Sequence, residues 1–195
     1  RIYLPAGLTG ACPPGIVPLD VAFVVDVSGS MAVPDVPPFE NRWAAAGAVA
    51  EEIVRYHAGP GDRFAVIPFG ATAEVRAGLG EDRAAVLAAL RSLPRWNGSR
   101  LDLALLLART ELERGRADRP GNRPTVVLLT DGDPNQAEVD ALLAAATGLR
   151  AWGARMHAVA LGSDVDPALL ARLTGSLGRV HEIGHDATNP GGPWS

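Results

Sequence analysis

The sequence predicts an α/β domain with a doubly wound, mostly parallel six-stranded sheet, one antiparallel edge strand and helices on both faces. Three observations predict it. Apolar runs such as "VAFVV" (21–25) and "VVLL" (126–129) are continuous, the pattern of strands buried on both faces. These runs alternate along the chain with segments of helical composition. Small polar and acidic residues follow the runs directly, at the carboxyl ends where open α/β sheets carry their sites.

The elements follow in order. Residues 1–18 are rich in Pro and Gly, show no period, and read as an N-terminal arm or linker. The domain proper is expected over 19–184, with 185–195 as an irregular tail whose two prolines and adjacent glycines oppose a helix. The first strand is "LDVAFVVD", followed by a loop with three prolines and a helix over 42–58 with Trp43, Ala46, Val49, Ala50, Ile53 and Val54 near one stripe. Strands over 62–70 and 72–79 are separated by a turn at Gly70. A helix over 82–93 stops at Pro94, and a second over 101–115 is closed by Gly115. The fourth strand spans 125–132, a helix 136–153, a strand 155–162, a helix 167–175 with Pro167 at its start, and the last strand 178–184.

Composition sets bounds on function. The 195 residues suit one domain with a sizeable core. The chain is 47% hydrophobic and 21% charged, with a net charge of −4. Nucleic-acid binding would call for a basic stripe, which is missing. All basic residues are Arg, which reads as coding bias of a GC-rich genome. Cys12 is the only cysteine, so no intrachain disulfide forms. No run reaches the roughly 18 apolar residues of a membrane span. The chain begins with Arg1 and lacks a signal-peptide pattern, so it is expected to be a fragment or a processed form.

The chemistry concentrates at three strand ends. "DVSGS" puts Asp26, Ser28 and Ser30 after the first strand, and alternation turns them toward one point, with Gly29 read as allowing a tight turn. "TDG" puts Asp131 after the fourth strand, and "NGSRLDLAL" puts Ser99 at a loop-to-helix junction. If the first and fourth strands are neighbours, two carboxylates and three hydroxyls converge at one rim. Such an all-oxygen set suits a hard octahedral cation, Mg²⁺ before Zn²⁺. Each residue alone also reads as a helix cap or turn former. A nucleophilic Ser28 or Ser30 would need a base within reach. His57 and His157 are expected far from this rim, and His181 and His185 are expected at the end of the last strand, across the sheet. Trp43 and Trp152 read as core; His181 and His185 read as surface residues.

Together "DVSGS", "LLTDG" and "NGSRLDLAL" resemble the metal ion-dependent adhesion site of von Willebrand factor type A (vWA) domains, of the bacterial type. The resemblance covers about 19–184 and implies a Rossmann-like fold. It implies that Ser28 and Ser30 bind the ion directly, that Ser99 does so in the open state of the site, and that Asp26 and Asp131 act mostly through water. Ser99 stands where the family commonly has Thr, and Arg100 where a small polar residue is common; Arg100 would repel the ion or attract an anionic partner. The ion, Mg²⁺ with Mn²⁺ or Ca²⁺ as substitutes, would be completed by an Asp or Glu of a protein partner. Pro34, Val36, Pro37, Pro38, Phe39 and Trp96 would form an apolar binding rim, although Trp96 reads equally as cover for a helix end. Asp35 and Asp133 would add negative charge or serve as turn residues. The expectation is a non-enzymatic, monomeric adhesion or interaction module at the cell surface or outside the cell. The alternatives are a cytoplasmic partner of a chelatase-type AAA ATPase and, less in keeping with the residues, a hydrolase using Ser28.

Overall fold

A computed structural model describes residues 17–132, 139–163 and 165–183. Strands β1 (Leu19–Asp26), β2 (Arg63–Phe69), β3 (Ala77–Gly80), β4 (Arg123–Thr130), β5 (Arg155–Leu161) and β6 (Val180–Ile183) form one sheet in the order β3-β2-β1-β4-β5-β6. All neighbours are parallel except β2 and β3. The chain builds outward from β1 to β3, then returns to the other side of β1 with β4. The strand order therefore reverses between β1 and β4, and the crevice at their carboxyl ends is the expected site position.

The apolar run of β1 is continuous because both of its faces are covered. Val21, Phe23 and Val25 pack with α1 (Arg42–Glu52) and α2 (Arg83–Arg91), through Ala45, Ala46, Val49, Val86 and Leu90. Ala22 and Val24 point the other way, into a cluster with α3 (Leu101–Asp118), α4 (Val139–Ala151) and α5 (Pro167–Thr174). Phe23 is fully buried and stacks on Phe64 of β2 at 5.9 Å. Burial of such a side chain contributes roughly 1.5–3 kcal/mol, so the central strands hold the rim rigidly from below.

Several expectations shift. The helix expected over 42–58 ends as α-helix at Glu52 and continues as one π turn, Ile53–His57. The edge strand expected over 72–79 is a lone bridge from Phe69 to Ala73 and then β3 at Ala77–Gly80. The cause is Pro68. Its carbonyl accepts from Glu74 N, so its missing N–H would have faced the same neighbour, and the ladder breaks there. Gly115 does not close α3 but lies inside it. A Cβ at Gly115 would sit 2.3 Å from Leu79 Cδ2 and 2.7 Å from Asp20 Oδ2, so glycine permits helix and sheet to approach. His181 is the second residue of β6, not at its end, and its ring stacks on His157 at 5.9 Å. The arm, the tail, Asp133 and His185 lie outside the described residues, apart from residues 17 and 18 of the arm.

Candidate metal centre

Asp26 ends β1 and is 1% exposed. Its Oδ1 accepts from Ser28 N at 2.9 Å, and its Oδ2 accepts from the Thr130 hydroxyl at 2.8 Å. The second bond follows from register: Val25 pairs with Leu129, which sets Thr130 beside Asp26. The Thr130 oxygen in turn accepts from Gly132 N at 3.0 Å, fixing the turn that carries Asp131. Gly132 has φ +74, a left-handed conformation suited to glycine. Both Asp26 and Asp131 are thus buried at the crevice between β1 and β4.

After Asp26 the chain makes a 3₁₀ turn, Gly29–Ala32, anchored by the fully buried Met31. Ser28 and Ser30 project to the same point, with their hydroxyl oxygens 3.0 Å apart. Gly29 is not at positive φ, and a Cβ there would make only an ordinary 3.6 Å contact with Asn97 Oδ1. The sequence reads Gly29 as allowing a tight turn; the backbone there does not draw on glycine's freedom.

Ser99 arrives from the other side of β1. Trp96 N donates to Val27 O at 3.0 Å and Arg100 N donates to Gly70 O at 2.6 Å, so the loop between them is laced to the exits of both β1 and β2. Gly70 allows this, since a Cβ there would lie 2.6 Å from Trp96 Cβ. The N-cap of α3 is Arg100, with no side-chain cap bond, and the Ser28 side chain makes none for its own turn. Helix capping is done elsewhere, by Asn41, Asp82 and Asp166. The bland reading of Ser28 and Ser99 as caps is thereby removed.

The electrostatics call for positive charge. Burial is the main reason the Asp26 carboxyl is pushed up to about 6, and the neighbouring Asp131 charge adds to it. The hydrogen bonds from Ser28 and Thr130 pull the other way without cancelling it. Arg42 supplies part of the answer. It is 2% exposed, and its Nη1 donates to Asp131 Oδ2 at 3.1 Å. Its Nε and Nη2 donate to Asp35 Oδ1 and Oδ2 at 2.9 and 2.6 Å. These bonds hold the Asp35 carboxyl down at about 2. Asp35, expected as a turn residue or added charge, is thus an ion-pair partner.

Neither Arg42 nor Thr130 was singled out by sequence reasoning. A signal existed for Arg42: a cation at the first position of a helix opposes the helix dipole and needs carboxylates to offset it. Arg100 turns onto Asp102 through two 2.8 Å bonds. Val36 is fully buried in the core and Phe39 packs partly against it, so the apolar rim is narrower than expected. Trp96 is half-buried over Gly70. Among the described residues no three His, Cys, Asp or Glu side chains are placed to hold an ion, so an ion here depends on the serine hydroxyls.

The profile of the von Willebrand factor type A domain matches residues 21–134. The chain belongs to that family. As a vWA domain it superposes on proximal thread matrix protein 1 from the mussel byssus with a TM-score of 0.70 and 26% identity, over 87% of this chain and 43% of that one. The chain thus spans less than half of the mussel protein. That protein is also known with a zinc-occupied MIDAS motif, a structure that matches with a TM-score of 0.68 and 24% identity over the same shares. Manganese-loaded TRAP from Plasmodium vivax matches with a TM-score of 0.66 and 18% identity, over 82% of this chain and 63% of that one. An aerotolerance-related membrane protein from Bacteroides fragilis matches with a TM-score of 0.71 and 18% identity, over 88% and 93%. No curated protein sequence matches.

Proposed function

We propose that this vWA domain is a divalent-metal-dependent protein-binding module, its ion held at the rim between β1 and β4 and completed by an Asp or Glu of the partner. The observation that carries the reading is Asp26: a buried carboxylate beside a second one, bonded only by neutral donors among the described residues, with Ser28 and Ser30 gathered above it. Such a pair is stabilised by a cation. The donor set fits one, since all five side chains offer oxygen to a hard ion. Metal occupancy in the mussel and Plasmodium relatives supports the same reading.

In this reading Ser28, Ser30 and Ser99 bind the ion directly, and Asp26 and Asp131 act mostly through water. Mg²⁺ is the favoured ion, with Mn²⁺ or Ca²⁺ as substitutes. The bound cation would supply positive charge to an incoming carboxylate. Asp26 orients Ser28 through its backbone N–H, and Thr130 fixes Asp26. The hydroxyls of Ser28 and Ser30 hydrogen-bond each other, and among the described residues neither bonds an imidazole, which favours binding over hydrolysis. We place the module at the cell surface or outside the cell, in keeping with a thread matrix relative.

Titration calorimetry with Mg²⁺ and Mn²⁺ tests the ion, with binding expected for wild type and lost in Asp26→Ala. Pull-down from the host with and without EDTA tests the partner. Metal-dependent recovery of surface or matrix proteins is expected. Recovery of an AAA-type ATPase instead would move the domain to an intracellular role.

A further inference from the structure

We propose that Arg42, held by Asp35 and cradled by Gly162, limits how tightly the rim grips its cation and so leaves part of the ion's charge for the partner's carboxylate. This rests on the reading of the rim as a divalent-ion site. Arg42 is the first residue of α1, where the helix dipole disfavours it, and its guanidinium is buried. A buried guanidinium persists only with well-placed carboxylates. Asp35 grips it through two bonds and Asp131 through one.

The backbone is shaped to admit it. Gly162 has φ +96, and a Cβ there would lie 2.3 Å from Arg42 Nε. Asp35 Oδ2 also accepts from Ser163 N at 3.1 Å and from its hydroxyl at 3.4 Å. Loops following β1, β4 and β5 therefore meet on one side chain. This is more than a structural clasp, because one of its partners is itself in the proposed donor set. A cation in standing contact with Asp131 weakens that carboxylate's pull on a divalent ion. Counting the described residues alone, Arg42 offsets one of the three carboxylate charges of Asp26, Asp35 and Asp131 and leaves two.

The charge count makes the two arms move in opposite directions. Arg42→Gln restores the third negative charge, and Asp35→Asn leaves only one. Calorimetric titration of Mn²⁺ at pH 8 is expected to give binding about tenfold tighter in Arg42→Gln and about threefold to tenfold weaker in Asp35→Asn. General loosening of the fold would weaken both. Changes of one sign, or none, overturn the proposal; should Arg42→Gln fail to fold, unchanged or tighter binding in Asp35→Asn does so alone.

A metal-free readout accompanies this. In EDTA, the drop in melting temperature caused by Arg42→Gln is expected to be smaller in an Asp131→Asn background, and equal drops contradict the pairing. Asp26→Asn serves as the control. If wild type binds no ion, the metal reading falls and this inference with it. If Asp26→Asn abolishes binding while the Arg42 and Asp35 variants shift nothing, this inference falls alone.

Discussion

The two ends of the sheet carry similar residues in opposite states of completion. At the amino end, Asp20 and Arg63 are both buried and joined by two bonds of 2.9 and 2.8 Å. Asn122 donates to Asp20 at 2.7 Å, Arg63 donates to Gly115 O at 2.7 Å, and Asp118 takes the remaining arm of the guanidinium. Each charge there meets its opposite. At the carboxyl end Arg42 likewise bridges two carboxylates, Asp35 and Asp131, but a third one, the buried Asp26, has only neutral donors among the described residues. Ser28 and Ser30 turn to each other. The lower network is closed by the chain's own side chains; in the proposed reading a divalent cation would close the upper one. The same residue types thus build a structural clasp at one end and a candidate site at the other.

The sharpest way to break this comparison is to remove charge at each end. Arg63→Met leaves Asp20 buried and unpaired, and should cost about 3–5 kcal/mol in urea unfolding, equally with and without Mg²⁺. Asp26→Asn should have the opposite sign in metal-free protein, a gain of about 1–3 kcal/mol at pH 8. It should also remove any stabilisation by Mg²⁺.

The pH dependence follows from the same carboxyl. Its folded-state pKa of about 6 lies above the 3.8 of an unperturbed Asp. Between those values the metal-free folded state binds more protons than the unfolded chain. The wild type therefore loses stability relative to Asp26→Asn as pH rises from about 4 through 6, and the gap is constant above that. Unfolding of both proteins across pH 4–8 in the absence of metal measures it.

Smaller effects separate ligand from cap. Asp166→Ala removes a true helix cap, whose carboxylate accepts from Ala168 N and Leu169 N, and should cost about 1 kcal/mol. Ser99→Ala should change metal-free stability by less than about 0.5 kcal/mol yet weaken Mg²⁺ binding in calorimetry. Smallest of all, Gly29→Ala should be tolerated within about 0.5 kcal/mol, since the position has neither left-handed φ nor a close neighbour. Thermal unfolding checks it.

Much of this was legible in the sequence. The continuous apolar run of β1 announces a strand covered on both faces, and the polar residues after it lie at the strand-order reversal. What the sequence hid depends on contacts between distant segments. Pro68 breaks the edge ladder only because its nitrogen faces β3. Gly115 looks like a helix stop until Leu79 and Asp20 are seen against it. Arg42's place at the start of a helix hints at nearby carboxylates, but not at which ones: Asp35 and Asp131 lie seven and 89 residues away. Thr130 depends on the β1–β4 register, which sequence spacing alone does not fix.

The most direct test of the central claim is thermal unfolding of wild type and Asp26→Asn, each in EDTA and in excess Mg²⁺ or Mn²⁺. An upper rim completed by a cation predicts a metal-dependent rise in melting temperature for wild type and none for the variant. A wild type indifferent to Mg²⁺, Mn²⁺ and Ca²⁺, or an equal rise in both proteins, would contradict it.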